Sequence, residues 1–140
     1  MSTLHVVFRV GQAEYVLPAD EVAQMESYAG ATVVPGARDY VVGVMQVRGK
    51  VVPVVDLRIR FGLAPTPPAA DARVVVGRHQ DRSVALLVDS VREVIKLDPA
   101  QVKPPPEIVG QEARGLVKGV AQVESRLLLL LDFAKVIGEE

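Results

Sequence analysis

The chain has 140 residues, with 16 Lys and Arg against 17 Asp and Glu, and no cysteine. The even charge gives no electrostatic footprint for nucleic acid or an anionic membrane, and the lack of thiols excludes disulfides, thiolate catalysis and cysteine-based metal sites. A mean hydropathy of +0.26 is high for a domain of this size, and either a valine-rich β core or an apolar partner-binding surface would account for it.

The N-terminal MSTLHVVFRV lacks a basic lead and a long apolar core, so it reads as neither a secretory signal nor a membrane anchor. Short runs rich in Val, Ile and Leu then recur between Gly, Pro and Asp breaks: LHVVFRV, AEYVLPA, YVVGVMQV, KVVPVVDL, ARVVVGR, SVALLVDSV, GLVKGVAQV and RLLLLLD. This rhythm predicts a mainly β fold, a barrel or sandwich. The segment ADEVAQMESY is ambiguous, because Val22, Met25 and Tyr28 also fit a helical stripe; it is read as a strand end with a turn. The longest apolar run, Leu127 to Leu131, is too short to span a bilayer, and the expectation is a soluble, cytoplasmic protein.

In GVMQVRGKVVPVVDL, Gly43 to Leu57, an apolar run is interrupted by Arg48, Gly49 and Lys50. This is not a phosphate loop: five residues separate the two glycines and Val51 follows Lys50, so the spacing is wrong and the magnesium-binding hydroxyl is missing. It reads as a hairpin turned at RGK. Pro53 lacks an N–H, which predicts an edge strand or a bulge there. Asp56 and Asp132 can each cap a short helix, in DLRIRFGL and DFAKVIGEE, and a Gly six residues later can end it. APTPPAADA (64–72) and KPPPEIVGQEARG (103–115) are Pro-rich and read as loops.

The chain repeats itself. Ala37 to Gly62 aligns without a gap on Ala113 to Gly138, and at this offset of 76 nine of 26 positions are identical, including Gly43, Gln46, Val47 and Asp56. Tyr15 to Val22 echoes Val84 to Val91 at an offset of 69. The period is too long for a solenoid and two copies would leave its ends uncapped, so two small barrels packed together are expected. Matched positions separate what the fold requires from what one copy adds. Asp56 and Asp132, and Gly43 and Gly119, read as structural, whereas Arg48 and Gly49 face Glu124 and Ser125 and are candidates for partner contact. Lys50, Arg58 and Arg60 make the neighbourhood basic. His5 and His79 lie in unrelated segments, and no nucleophile elbow, zinc motif or dinucleotide fingerprint is present, so neither a catalytic constellation nor a cofactor or metal site is read from the sequence.

YVVGVMQVRGKVVPVVDLRIRFGL (Tyr40 to Leu63), LVDSVREVIKLDPAQVKPPPE (Leu87 to Glu107), GVAQVESRLLLLLDFAKVI (Gly119 to Ile137) and FRVGQAEYVLPADEVAQM (Phe8 to Met25) together resemble the CheW-type coupling proteins of bacterial chemosensory arrays. The resemblance implies one CheW-like domain over 1–140, made of two small SH3-like, five-stranded β-barrels. The expected division is about 7–70 for the first barrel, and about 71–140 plus the N-terminal few residues for the second. It implies no catalytic activity and no cofactor. The implied partners are the cytoplasmic tip of a methyl-accepting chemoreceptor, the regulatory domain of a CheA-like histidine kinase, and other copies of such barrels in array rings. Carried onto this sequence, the contact candidates are Arg48, Gly49 and Val22, with Val44 and Val47 added for a groove between the barrels. Gln46 and Gln24 stand where the family commonly has Asn and often has Glu. These departures keep open an accessory adaptor that binds receptor but not kinase, and a small-molecule-binding barrel is the reading from another class.

Overall fold

The computed structural model describes residues 2–105 and 115–138. The strands are β1 (Thr3–Val10), β2 (Ala13–Pro18), β3 (Val22–Ser27), β4 (Val41–Val47), β5 (Lys50–Asp56), β6 (Arg73–His79), β7 (Arg82–Val88), β8 (Ser90–Leu97), β9 (Val102–Lys103), β10 (Val117–Val123) and β11 (Arg126–Leu131). Two short helices, α1 (Leu57–Arg60) and α2 (Phe133–Ile137), follow β5 and β11. Their caps are those the sequence predicts: Asp56 accepts from the Arg58 amide, Asp132 accepts from the Lys135 amide, and Gly62 and Gly138 turn the chain away at φ 78° and 81°. The strap 64–72 has no strand or helix, as expected; most of the second Pro-rich segment lies outside the described residues. Among the described residues no helix is long and apolar enough to cross a membrane.

The strands form a five-stranded sheet, β3-β6-β7-β5-β4, and a six-stranded sheet, β8-β1-β2-β11-β10-β9. Each curls into a small barrel by the same device. After β3 the chain returns so that Thr32 exchanges two backbone hydrogen bonds with Val44 of β4, at 2.9 and 2.8 Å. After β8 a 3-10 turn, Pro99–Gln101, leads into β9, which pairs with β10.

The repeat governs this architecture residue by residue. Val54 lies opposite Ala85 and Leu130 opposite Val16, pairs related by the offsets of 76 and 69. Registers shift at Ala23 and Arg92, and again at Val42 and Lys118, which are matched positions too. The expected boundary near residue 70 is nonetheless wrong. Hairpin β1–β2 completes the barrel built from β8 to β11, while hairpin β6–β7 completes the barrel built from β3 to β5. Each copy lends its first hairpin to the other, and not merely its first few residues.

The exchanged hairpins are buried on both faces because each lies between two cores. Val7 and Val16 face the interior of the six-stranded barrel with Leu97, Ala121 and Leu128. Phe8, Tyr15 and Leu17 on the opposite face join Val55, Val75, Leu86, Leu131 and Phe133 in a core shared by both barrels. A third cluster, with Val47, Val52, Val54, Val74 and Val76, fills the five-stranded barrel. Each fully buried side chain of this kind contributes about 1.5–3 kcal/mol.

Pro53 sits on an inner strand, neither edge nor bulge. Its partner Val44 directs its own N–H and C=O to Thr32, so no bond is required between them, and pairing with β7 begins only at Val54. The ambiguous segment 19–28 is a 3-10 turn, Ala19–Glu21, followed by β3.

Candidate partner-binding surface

Strands β4 and β5 are joined by a two-residue turn in which both central residues are left-handed, Arg48 at φ 51° and Gly49 at φ 82°. That geometry matches the twist of the hairpin and suits Gly at the second position. Glu124, matched to Arg48, is also left-handed at φ 57°. The first turn position is thus left-handed in both copies whether it carries Arg or Glu, so the backbone leaves the side chain at position 48 unspecified, whereas the second position is left-handed at Gly49 and not at Ser125.

Arg48 is an exposed side chain, 76% accessible, with Nε 4.0 Å from Oε2 of Glu26 on β3. The same carboxylate oxygen accepts from Gln24 Nε2 at 2.9 Å. Glu26 thus links the hairpin tip to β3, although as one polar residue in an alternating strand it carries no signal of its own in the sequence. An ion pair this exposed stabilises little, so most of the guanidinium donors remain turned to solvent.

The register shift at Ala23 sets what β3 presents. Val22 lies opposite Gly77 and Met25 opposite Val75, so both face the shared-core side; Gln24 and Glu26, opposite Val76 and Val74, face the other way. Val22 is half-buried against the shared core. Met25 is 43% exposed.

Of the two groove candidates on β4, one is corrected. Val47 is 6% exposed and packs inside the five-stranded barrel with Val52 and Val54, so it offers no contact surface. Residues three apart on a strand point to opposite faces, and Val44 and Val47 therefore cannot both look outward. Val44 and Gln46 lie on the outer face opposite Pro53 and Val51. Val51 is strongly exposed, and Val33 and Val34, just beyond the Thr32 bridge, are exposed as well. The seven candidates therefore divide into a set at the β3 edge and hairpin tip, with Val22 on one face and Gln24 on the other beside Arg48 and Gly49, a pair on the outer face of β4 (Val44, Gln46), and one core residue.

At the matched places on the six-stranded barrel, charge is satisfied internally. Arg126 forms a bidentate pair with Glu14, at 3.0 and 3.1 Å, and a second ion pair with Glu93 at 2.6 Å; these bonds hold its guanidinium above the usual arginine range. Lys50 and Gln24 occupy the positions matched to Arg126 and Glu93.

A cleft of about 230 Å³ runs beneath the strap, lined by Arg9, Asp56, Arg58 and Asp89 among others. Arg58 forms a two-pronged pair with Asp89, at 3.0 and 2.8 Å, and Asp89 also accepts from the Gly11 amide. Burial pushes the Asp56 carboxyl above its ordinary range, against the Arg58 and Ile59 amides and the Arg58 charge, and Asp89 adds to the rise. Among the described residues no group of three or more acidic or imidazole side chains is placed to hold a metal ion.

The model of the CheW-like domain family matches residues 4–140. The chain belongs to the CheW-like domain family. This CheW-like chain is similar to the chemotaxis protein CheW of Rhizobium meliloti (strain 1021), 31% identical over 96% of the chain and 87% of that relative. It is similar to the same-named protein of Bacillus subtilis (strain 168), 30% identical over 96% and 86%. Among solved structures, the scaffolding protein TtCheW from Thermoanaerobacter tengcongensis superposes with a TM-score of 0.87 at 28% identity, over 94% of this chain and 90% of that one. The mainly β, two-barrel expectation is met, with a sixth strand of two residues in one sheet.

Proposed function

We propose that this CheW-like chain is a non-catalytic cytoplasmic adaptor that couples the tip of a methyl-accepting chemoreceptor to the regulatory domain of a CheA-like histidine kinase. The observation that carries this reading is the family match over residues 4–140, among relatives named for chemotaxis. The geometry supports two separate surfaces. At β3, the edge strand of its sheet, Val22 and Met25 present an apolar strip on one face while Gln24 and the Arg48 guanidinium beside Glu26 lie on the other, which suits a helical receptor hairpin lying along that edge with acidic or carbonyl groups on one flank. The outer face of Val44, Val51 and Pro53, extended by Val33 and Val34, is an apolar barrel wall suited to another barrel, whether from the kinase or from a further copy in a ring.

Single contacts of this size need bind only at about micromolar strength, because an array multiplies them. The test is a titration of the chain against each partner piece separately, repeated with Arg48→Glu. Receptor binding is expected to weaken about tenfold, roughly 1.4 kcal/mol, with kinase binding and thermal unfolding unchanged. Receptor binding that survives the reversal would remove Arg48 from the site, and binding to neither piece would overturn the adaptor reading. A receptor-only adaptor is the second reading. It is favoured by Gln24, whose amide is engaged with Glu26 where relatives often offer a carboxylate, and loss of the kinase signal alone would establish it.

A further inference from the structure

Glu21 ends the 3-10 turn that carries the chain from the six-stranded barrel into the five-stranded one, immediately before Val22. Its carboxylate is half-buried, and Oε1 is sealed from solvent with no hydrogen-bond partner. Charged groups from four elements bear on it. Lys118 on β10 and His79 at the end of β6 favour the ionised form; Asp20 on the same turn and Asp132 at the cap of α2 oppose it. Burial is the largest influence, and it holds the carboxyl above the usual glutamate range.

The fold does not require an acid at this place. Ser90 stands at the position matched to Glu21. Asp89, matched to Asp20, takes the two bonds from Arg58, and the position matched to Arg58 in the other copy is Ala134. The carboxylate kept at the junction into Val22 is that of Asp20, and Glu21 beside it has no acidic counterpart.

We propose that docking of a partner on the Val22 face is linked to proton uptake at Glu21, so that the complex tightens as pH falls. The inference rests on the receptor-binding reading above. Glu21 and Val22 are consecutive, so a partner that covers Val22 is placed to withdraw water from the part of the carboxylate outside the buried Oε1, which penalises the ionised form and leaves the neutral form nearly untouched. The bound state then holds the proton more tightly than the free state. The resulting gain in affinity is full below the free titration range and is lost as pH rises through the bound one, by up to about tenfold per pH unit.

The experiment is isothermal titration of the full chain with a purified chemoreceptor cytoplasmic tip, from about pH 5 to about pH 8, in two buffers of different ionisation enthalpy so that protons taken up are counted. Wild type is expected to take up as much as one proton and to bind several-fold more weakly at the alkaline end. Glu21→Gln is expected to bind without uptake and with a flat pH profile. Lys118 is exposed, so Lys118→Met leaves the core intact; removing its charge is expected to move the wild-type slope to higher pH. Binding without proton uptake, or a slope that persists in Glu21→Gln, overturns the inference while leaving the adaptor reading standing. Absence of binding by wild type at every pH overturns both.

Discussion

Gly43 and Gly119 are matched in the repeat, yet they carry different constraints. At Gly43, φ is 153° and a Cβ would collide with the backbone carbonyl of Thr32, the group that closes the five-stranded barrel. At Gly119 the nearest obstacle is Cγ1 of Val102, 2.6 Å from the built Cβ, which is the end of a side chain on a two-residue strand. Gly43→Ala is therefore expected to cost about 3 kcal/mol and Gly119→Ala about 1 kcal/mol, measured by urea unfolding. Equal costs would mean that the Thr32 bridge does not hold the barrel shut. The sequence marked both glycines as structural, but the difference between them depends on what crosses the barrel wall, which no local pattern records. The candidate site was legible in the same uneven way. Arg48 and Gly49 stood out because their matched residues differ, whereas Glu26 is one polar residue in an alternating strand and acquires meaning only through the approach of the hairpin. Val47 belongs to the core because alternation along β4 puts it on the same face as Gly43 and Met45.

At the scale of elements, α2 is the piece most firmly tied across the barrels. Phe133, Val136 and Ile137 are buried in the shared core, with the Phe133 ring against Gly77. Arg60 at the end of α1 donates to the carbonyls of Val136 at 2.8 Å and Lys135 at 2.9 Å, and its guanidinium lies 4.5 Å from the centre of the Tyr40 ring. Arg82 reaches the Gly138 carbonyl at 2.6 Å. These carbonyls lie at a helix end, where backbone acceptors are left over and cations are favoured, although that of Lys135 also accepts from the Gly138 amide at 3.3 Å. Arg60 and Val136 are themselves matched at offset 76, so the pseudo-twofold axis runs between α1 and α2. Arg60→Ala is expected to cost about 2 kcal/mol and to speed amide exchange in α2 before any other element. Exchange that rises evenly over the whole chain would instead make Arg60 one ordinary contact among many. The start and end of α2 were legible, because a capping Asp and a terminal Gly act within one turn. Its latch was not, since the donor lies 76 residues away from the acceptor.

For the molecule as a whole, linker length decides which hairpin goes with which barrel. If β1–β2 stayed with β3, β4 and β5 in one barrel, β2 would take the place of β7, and β3 would run parallel to it with β1 between them. A parallel return needs a crossover of about a dozen residues or more. Only Ala19 to Glu21 separate β2 from β3, and only Asp89 separates β7 from β8. Neither copy can close on its own first hairpin, so the two must exchange. The division at residue 70 followed from reading each copy as a self-contained unit; the constraint against it was present in the sequence as two very short connections, but it applies only once the pairing order is known. A chain cut within the strap, between Pro68 and Ala69, breaks no strand and separates the copies. Each fragment alone is then expected to remain unfolded by amide-proton NMR, and an equimolar mixture is expected to recover the dispersed spectrum of the intact chain and to unfold in one cooperative transition. Folding of either fragment by itself would show that a copy can close on its own hairpin and that the exchange is a choice rather than a necessity.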